Sequence, residues 1–162
     1  MKQKNNKTKK TLILGLGNIL LQDEGIGVHA LNKMTEMKWP EHVDLLDGGT
    51  GGFVLLSLFQ DYNTIVIIDA ALSDDPPGTI NVIEPKFARD FPKSLSTHEL
   101  GLKDMIESAI LLGKIPMLHL ITCTINPKQE MNIQLTAGIK ARIPQIIKTV
   151  QDVLEGASLS DI

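Results

Sequence analysis

Three connections in this chain end in residues able to ligate a metal: Glu24, Asp69 and His98. Glu24 lies in GLGNILLQDEGIGV, which begins with strand character and ends with helical spacing. Asp69 closes the apolar run TIVIID, and His98 sits in STHELGL, at the start of a predicted helix. Singly, each has an ordinary structural use. Glu24 suits the first turn of a helix, a role Asp23 could fill as an N-cap. Asp69 could cap a turn, and His98 could be exposed or could cap a helix, as Ser96 or Thr97 could. Together they put two carboxylates and an imidazole on connections that can share one rim. Two oxygen ligands and one nitrogen suit Ni²⁺, Zn²⁺, Mn²⁺ or Fe²⁺, with positions left open for a substrate.

The elements that must position these residues follow from the apolar pattern. Residues 11–17 read as a buried strand that turns at Gly17-Asn18. Residues 24–38 carry Ile26, Ala30, Leu31, Met34 and Met37 at helical spacing, and Pro40 ends them. Residues 43–47 form a second strand, Gly48–Gly52 a glycine-rich turn, and FVLLSLFQ a short helix. Residues 64–69 are uniformly apolar before Asp69, as in a parallel strand buried on both faces. After the turn at Pro76-Pro77-Gly78, TINVIEP alternates and reads as a less buried strand near an edge. Residues 86–97 are irregular, and 99–112 form a helix stopped by Gly113. MLHLITCTI is the last buried strand. An amphipathic helix runs from Thr136 to about Glu155, despite Pro144, and residues 156–162 are expected to fray.

This order predicts an α/β fold: a three-layer α/β/α sandwich with a twisted, mostly parallel five-stranded sheet. One domain spans residues 11–155. Ligands of such sheets bind off the carboxyl ends of the strands. Glu24, Asp69 and the Gly48–Gly52 turn all follow such ends, and His98 lies on a loop able to cover the same edge. Five small residues, Gly48 to Gly52, exceed what one turn requires. They would let a second backbone approach closely, so Asp47, Gly48, Gly49 and Thr50 are expected to border an extended peptide.

Composition narrows the function classes. A content of 43% hydrophobic and 22% charged residues excludes disorder throughout. Aromatics at 4% leave no stacking platform for bases. Lys2, Lys4, Lys7, Lys9 and Lys10 form a Lys-rich tail, residues 1–10, expected to be disordered and solvated. Without it the body has 11 basic against 19 acidic residues, the reverse of what a phosphate-backbone binder needs. The tail plus TLILGLGNILL mimics a signal peptide, but Gly15, Gly17 and Asn18 interrupt the apolar run and Gln22-Asp23-Glu24 follows in place of a cleavage site. No apolar stretch is long enough to span a membrane. The lone Cys123 reads as a buried thiol in a reducing, cytoplasmic setting.

Competing motifs are weaker. GLGN begins a dinucleotide fingerprint, but Leu20 stands where the third glycine belongs. Asp47, the acidic residue ending the second strand, lies thirty positions after Gly17 where about twenty are expected. His29, His42 and His119 read as structural. Zinc pairs of cysteines, a nucleophile elbow and a Walker loop are all missing.

GLGNILLQDEGIGV, LLDGGTGG, TIVIIDA and STHELGL, in this order and spacing, closely resemble the NiFe-hydrogenase maturation endopeptidases over residues 11–155. The resemblance implies a twisted, mixed five-stranded sheet flanked by helices. It implies an endopeptidase that removes a C-terminal extension from a hydrogenase large-subunit precursor after the NiFe centre is loaded. The family's metal-binding glutamate, aspartate and histidine match Glu24, Asp69 and His98, which are then catalytic as well as metal-binding. The resemblance also implies that the nickel belongs to the substrate. A non-catalytic chaperone that checks nickel loading would use the same three residues. The expected partner is the precursor, with no nucleic acid and no membrane, and the enzyme is expected to be a monomer.

Overall fold

Thr11–Leu16 (β1) is buried along its whole length, so both its faces must be covered. A computed structural model of the chain, describing residues 9–50, 53–85, 107–113 and 115–160, supplies that cover. β1 pairs in parallel with Val43–Gly49 (β2) on one side and with Thr64–Ala71 (β3) on the other. β3 pairs in parallel with Met117–Thr124 (β5), and Ile80–Ile83 (β4) closes the far edge antiparallel to β5. The order β2-β1-β3-β5-β4 makes a mixed, mostly parallel five-stranded sheet. β4 is the half-exposed edge strand that its alternating sequence predicts. The other edge, β2, carries exposed Asp44 and Asp47, charges of the kind that discourage pairing with another chain. Tyr62 donates a 2.8 Å hydrogen bond to Asp44 Oδ2.

Alternation along the strands sorts the core into two layers. Ile13, Val66, Ile68, Ile121 and Cys123 face the helices Ile26–Met34 (α1) and Ile143–Ser160 (α4), whose Ala30, Met34, Ile146 and Val150 pack against them. Leu12, Leu14, Ile65, Ile67 and Leu120 face the opposite side, against Phe59 of the 3₁₀ helix Phe53–Gln60 and Ala109 of the helix at residues 107–111 (α2). The layers are aliphatic, as the scarcity of aromatics requires. Each fully buried Ile or Leu contributes roughly 1.5–3 kcal/mol. Burial pushes the Cys123 thiol up to about 11, so it is an inert core side chain.

Two helices depart from the apolar pattern. The first splits into a 3₁₀ turn, Gln22–Gly25, and α1, which ends at Met34 and not near Pro40. Its last carbonyls are taken early: Thr35 Oγ1 donates to Asn32 O and the Trp39 indole to Met34 O. The final helix is also two pieces, Ala137–Lys140 (α3) and α4. Pro144 has no N–H to donate and its ring would clash with the Lys140 carbonyl. The chain therefore breaks before it and restarts with the proline in the first turn of α4, which runs on to Ser160. The described part of α2 ends at residue 111, and Gly113, φ +76°, closes the turn that follows, as expected.

His119 is buried mid-strand on the α4 face, its Nδ1 3.3 Å from Glu84 Oε1. Burial holds its pKa below the ordinary value of 6.5, and the Glu84 carboxylate only partly opposes this. Near and below pH 6.5 the unfolded chain takes up a proton that the folded chain refuses. The stability from the neutral ring is thus complete above 6.5 and is lost as pH falls from there toward the folded value. The urea midpoint should drop between pH 7 and pH 5, and His119→Gln should flatten that drop. An identical pH slope in the variant would show that other groups carry it.

Candidate active site

The carboxyl ends of β1 and β3 meet at the point where the chain, having placed β2 on one side of β1, crosses to place β3 on the other. Crevices in open sheets form at such switch points. The loop after β1 enters the 3₁₀ turn through Gln22, whose φ of 50° is rare for a non-glycine residue. Its N–H donates to Asn132 O at 2.8 Å, which helps to hold this backbone. Glu24 follows in the turn, half-buried, its N–H bonded to Leu21 O.

Two glycines set how closely this turn lies on the sheet. A Cβ at Gly17 would overlap the Glu24 carbonyl, and a Cβ at Gly27 would overlap the carbonyls of both Leu16 and Ile68. Gly27 is three residues after Glu24, and Ile68 immediately precedes Asp69. The contact thus brings the Glu24 turn against the end of β3, where Asp69 is 1% exposed and its Oδ1 accepts the Ala70 N–H at 2.8 Å. The close approach that GLGN permits is used by the protein's own Glu24 carbonyl, not by a pyrophosphate. The sheet order likewise differs from that of the classical dinucleotide fold.

The glycine-rich segment borders the same end. β2 continues through Gly48-Gly49, two residues beyond the predicted strand. Gly15 pairs with Asp47 but Leu16 with Gly49, so Gly48 is the extra residue of a bulge. Gly49, φ +50°, donates its N–H to Asp47 Oδ1 at 2.8 Å and accepts the Gly17 N–H at 2.9 Å. Asp47 and Thr50 are exposed. By alternation Asp69 shares its face of the sheet with Ile65, Ile67 and Ala71, the face covered by the 3₁₀ helix that follows the glycines. Glu24, Asp69 and the Asp47–Thr50 ledge therefore gather at one end of the sheet. His98, Gly51 and Gly52 lie outside the described residues. Among the described residues no three His, Cys, Asp or Glu side chains converge as a metal site.

Asp23 is not the helix cap its position suggests. It is 2% exposed, and its carboxylate accepts the Thr136 N–H at 2.8 Å and the Thr136 Oγ1 at 2.7 Å. Its own N–H donates to Gln129 Oε1 at 2.8 Å. Asp23 thus ties the turn that carries Glu24 to the segment between β5 and α3. Nothing in local spacing reveals a bond across 113 positions. Gly25 and Gly27 did carry a signal, since glycine is a costly choice in a first helical turn unless packing demands it. Asp23→Ala would leave the part-buried Thr136 N–H and hydroxyl without their acceptor. It should lower the unfolding free energy by about 2 kcal/mol in urea titration. An unchanged midpoint would show that the clip is dispensable.

A mixed, mostly parallel sheet with carboxylates at its switch point and a glycine ledge beside them has the architecture of the α/β/α class. Residues 28–153 match the sequence profile described as hydrogenase maturation protease. The Hydrogenase 2 maturation protease of Escherichia coli K12 is 32% identical over 157 residues, spanning 94% of this chain and 95% of that protein. The hydrogenase expression/formation protein HupD of Rhizobium leguminosarum bv. viciae is 35% identical, over 90% of this chain and 74% of its own. Among solved structures, the hydrogenase maturating endopeptidase HybD of E. coli superposes with a TM-score of 0.83 at 32% identity, covering 91% of this chain and 93% of that one. The chain belongs to the hydrogenase maturation protease family and is a maturation endopeptidase.

Proposed function

We propose that this endopeptidase removes the C-terminal extension of a NiFe-hydrogenase large-subunit precursor after nickel has been inserted. The nickel is part of the substrate, and Glu24, Asp69 and His98 are the residues that grip it. What supports this reading most is the Gly27 contact, which joins the Glu24 turn to the end of β3 beside the glycine ledge, in a chain of the maturation-protease family. Two carboxylates from this rim and one imidazole make a donor set that suits nickel and stays incomplete without a partner's ligands. Grip then depends on a loaded precursor.

The precursor's C-terminal region lies along Asp47, Gly48, Gly49 and Thr50, where the scarcity of side chains lets its backbone come close. Asp69 is held by its own backbone contact and anchors. Glu24, the more accessible carboxylate, takes the proton of the attacking water as general base. The setting is cytoplasmic. Among the described residues no helix is long and apolar enough to cross a membrane.

The test is to incubate the protein with nickel-loaded and with nickel-free precursor and read intact masses. Loss of a C-terminal peptide from the loaded form alone is expected. Cleavage of both forms would remove the nickel check. Binding without cleavage of either would point to a chaperone.

A further inference from the structure

Four large apolar side chains beside the site are held out in solvent: Ile19, Leu20, Met131 and Ile133, from 45% exposed at Ile19 to 84% at Met131. They come from two segments remote in sequence that are clipped together. Asn132 N–H donates to Leu20 O at 3.0 Å, Gln22 N–H donates to Asn132 O at 2.8 Å, and Leu21 and Asn132 form a parallel bridge. Ile19 and Leu20 thus stand on one arm of the clip, and Met131 and Ile133 flank Asn132 on the other. Scattered exposed apolar residues need no explanation, but a cluster on a built support does. Here the support includes the buried Asp23 carboxylate with both its Thr136 bonds, and the Gln129 amide that accepts the Asp23 N–H.

We propose that this apolar rim is the docking surface for the polypeptide substrate and takes an apolar segment of the precursor outside the cleavage site. The proposal rests on the function proposed above. Continuity favours this occupant over a second copy of the chain. The arm carrying Leu20 runs through Gln22 directly into Glu24, so a polypeptide lying across the site meets the rim within four residues of that carboxylate. The rim binds substrate and takes no part in the chemistry, so its loss should act on KM and leave kcat unchanged.

The test compares the parent with a Met131→Ser/Ile133→Ser variant and an Ile133→Leu variant, using nickel-loaded precursor and intact-mass time courses. Removing two apolar side chains from a covered surface should raise KM by about tenfold or more. The kcat and the urea midpoint should stay the same, and Ile133→Leu should keep the parental KM. An unchanged KM in the double variant, with the parent active, would overturn the docking surface and leave the protease reading standing. A fall in kcat alone would overturn it too. Sedimentation showing a dimeric parent and a monomeric double variant would assign the rim to a second copy of the chain and overturn the proposal. A parent that cleaves no precursor would overturn the function on which it rests.

Discussion

Replacing Glu24 with Gln should slow precursor cleavage by about 100-fold or more, the scale of a lost general base. Asp69→Asn and His98→Ala should have effects of similar size, because the proposed grip needs all three donors at once. Their losses should not multiply, since residues that act as a unit fail together. Glu24→Gln keeps the shape of the side chain at a half-buried position and should leave the urea midpoint unchanged. Asp69→Asn keeps an oxygen that can accept the Ala70 N–H. The check is an intact-mass time course beside a denaturation curve for each variant. Parental rates in all three would remove the site assignment. A rate that falls only in step with the folded fraction would make the residue structural.

How much of this could be read in the sequence depends on the range of the interaction. The strands are local statements: six to eight apolar residues in a row bury both faces, and β1, β3 and β5 follow from that. The weaker alternation of TINVIEP placed β4 near an edge, because a strand with one neighbour keeps one side wet. Helix ends were less legible. Pro144 and the Trp39 indole act through one proline ring and one side-chain hydrogen bond, which periodicity does not register. The candidate site was read from residue types at strand ends, because parallel sheets bind at that edge; Glu24 and Asp69 do lie at one end of the sheet, while His98 lies outside the described residues. Asp23 was misread because its position suits a cap and its partner is Thr136, on the far side of the sheet sequence. The apolar rim was not legible for the same reason, since Leu20 and Asn132 become neighbours only when β1 and β5 lie in one sheet.

The most damaging single methyl group in this fold should be the one added by Gly27→Ala. Its Cβ would overlap the carbonyls of Leu16 and Ile68, and both are backbone at the ends of buried central strands. A flexible side chain could swing aside, but two strand ends cannot. α1 must instead lift off the sheet, opening the layer in which Ile26, Ala30 and Met34 pack on Ile13 and Ile68. Overpacking of this kind costs up to about 3 kcal/mol, and sometimes more. Gly138→Ala is the matched control, because no atom lies within 4 Å of the added methyl. It should leave the urea midpoint unchanged or slightly raised, as expected for alanine in a helix. Activity separates the packing effect from the site effect. If Gly27 sets the spacing between the Glu24 turn and Asp69, the variant molecules that remain folded should still cleave poorly, since a misplacement of about 1 Å can cost about 100-fold. Folded Gly27→Ala protein with parental activity would mean that the contact stabilises the fold without positioning the two carboxylates.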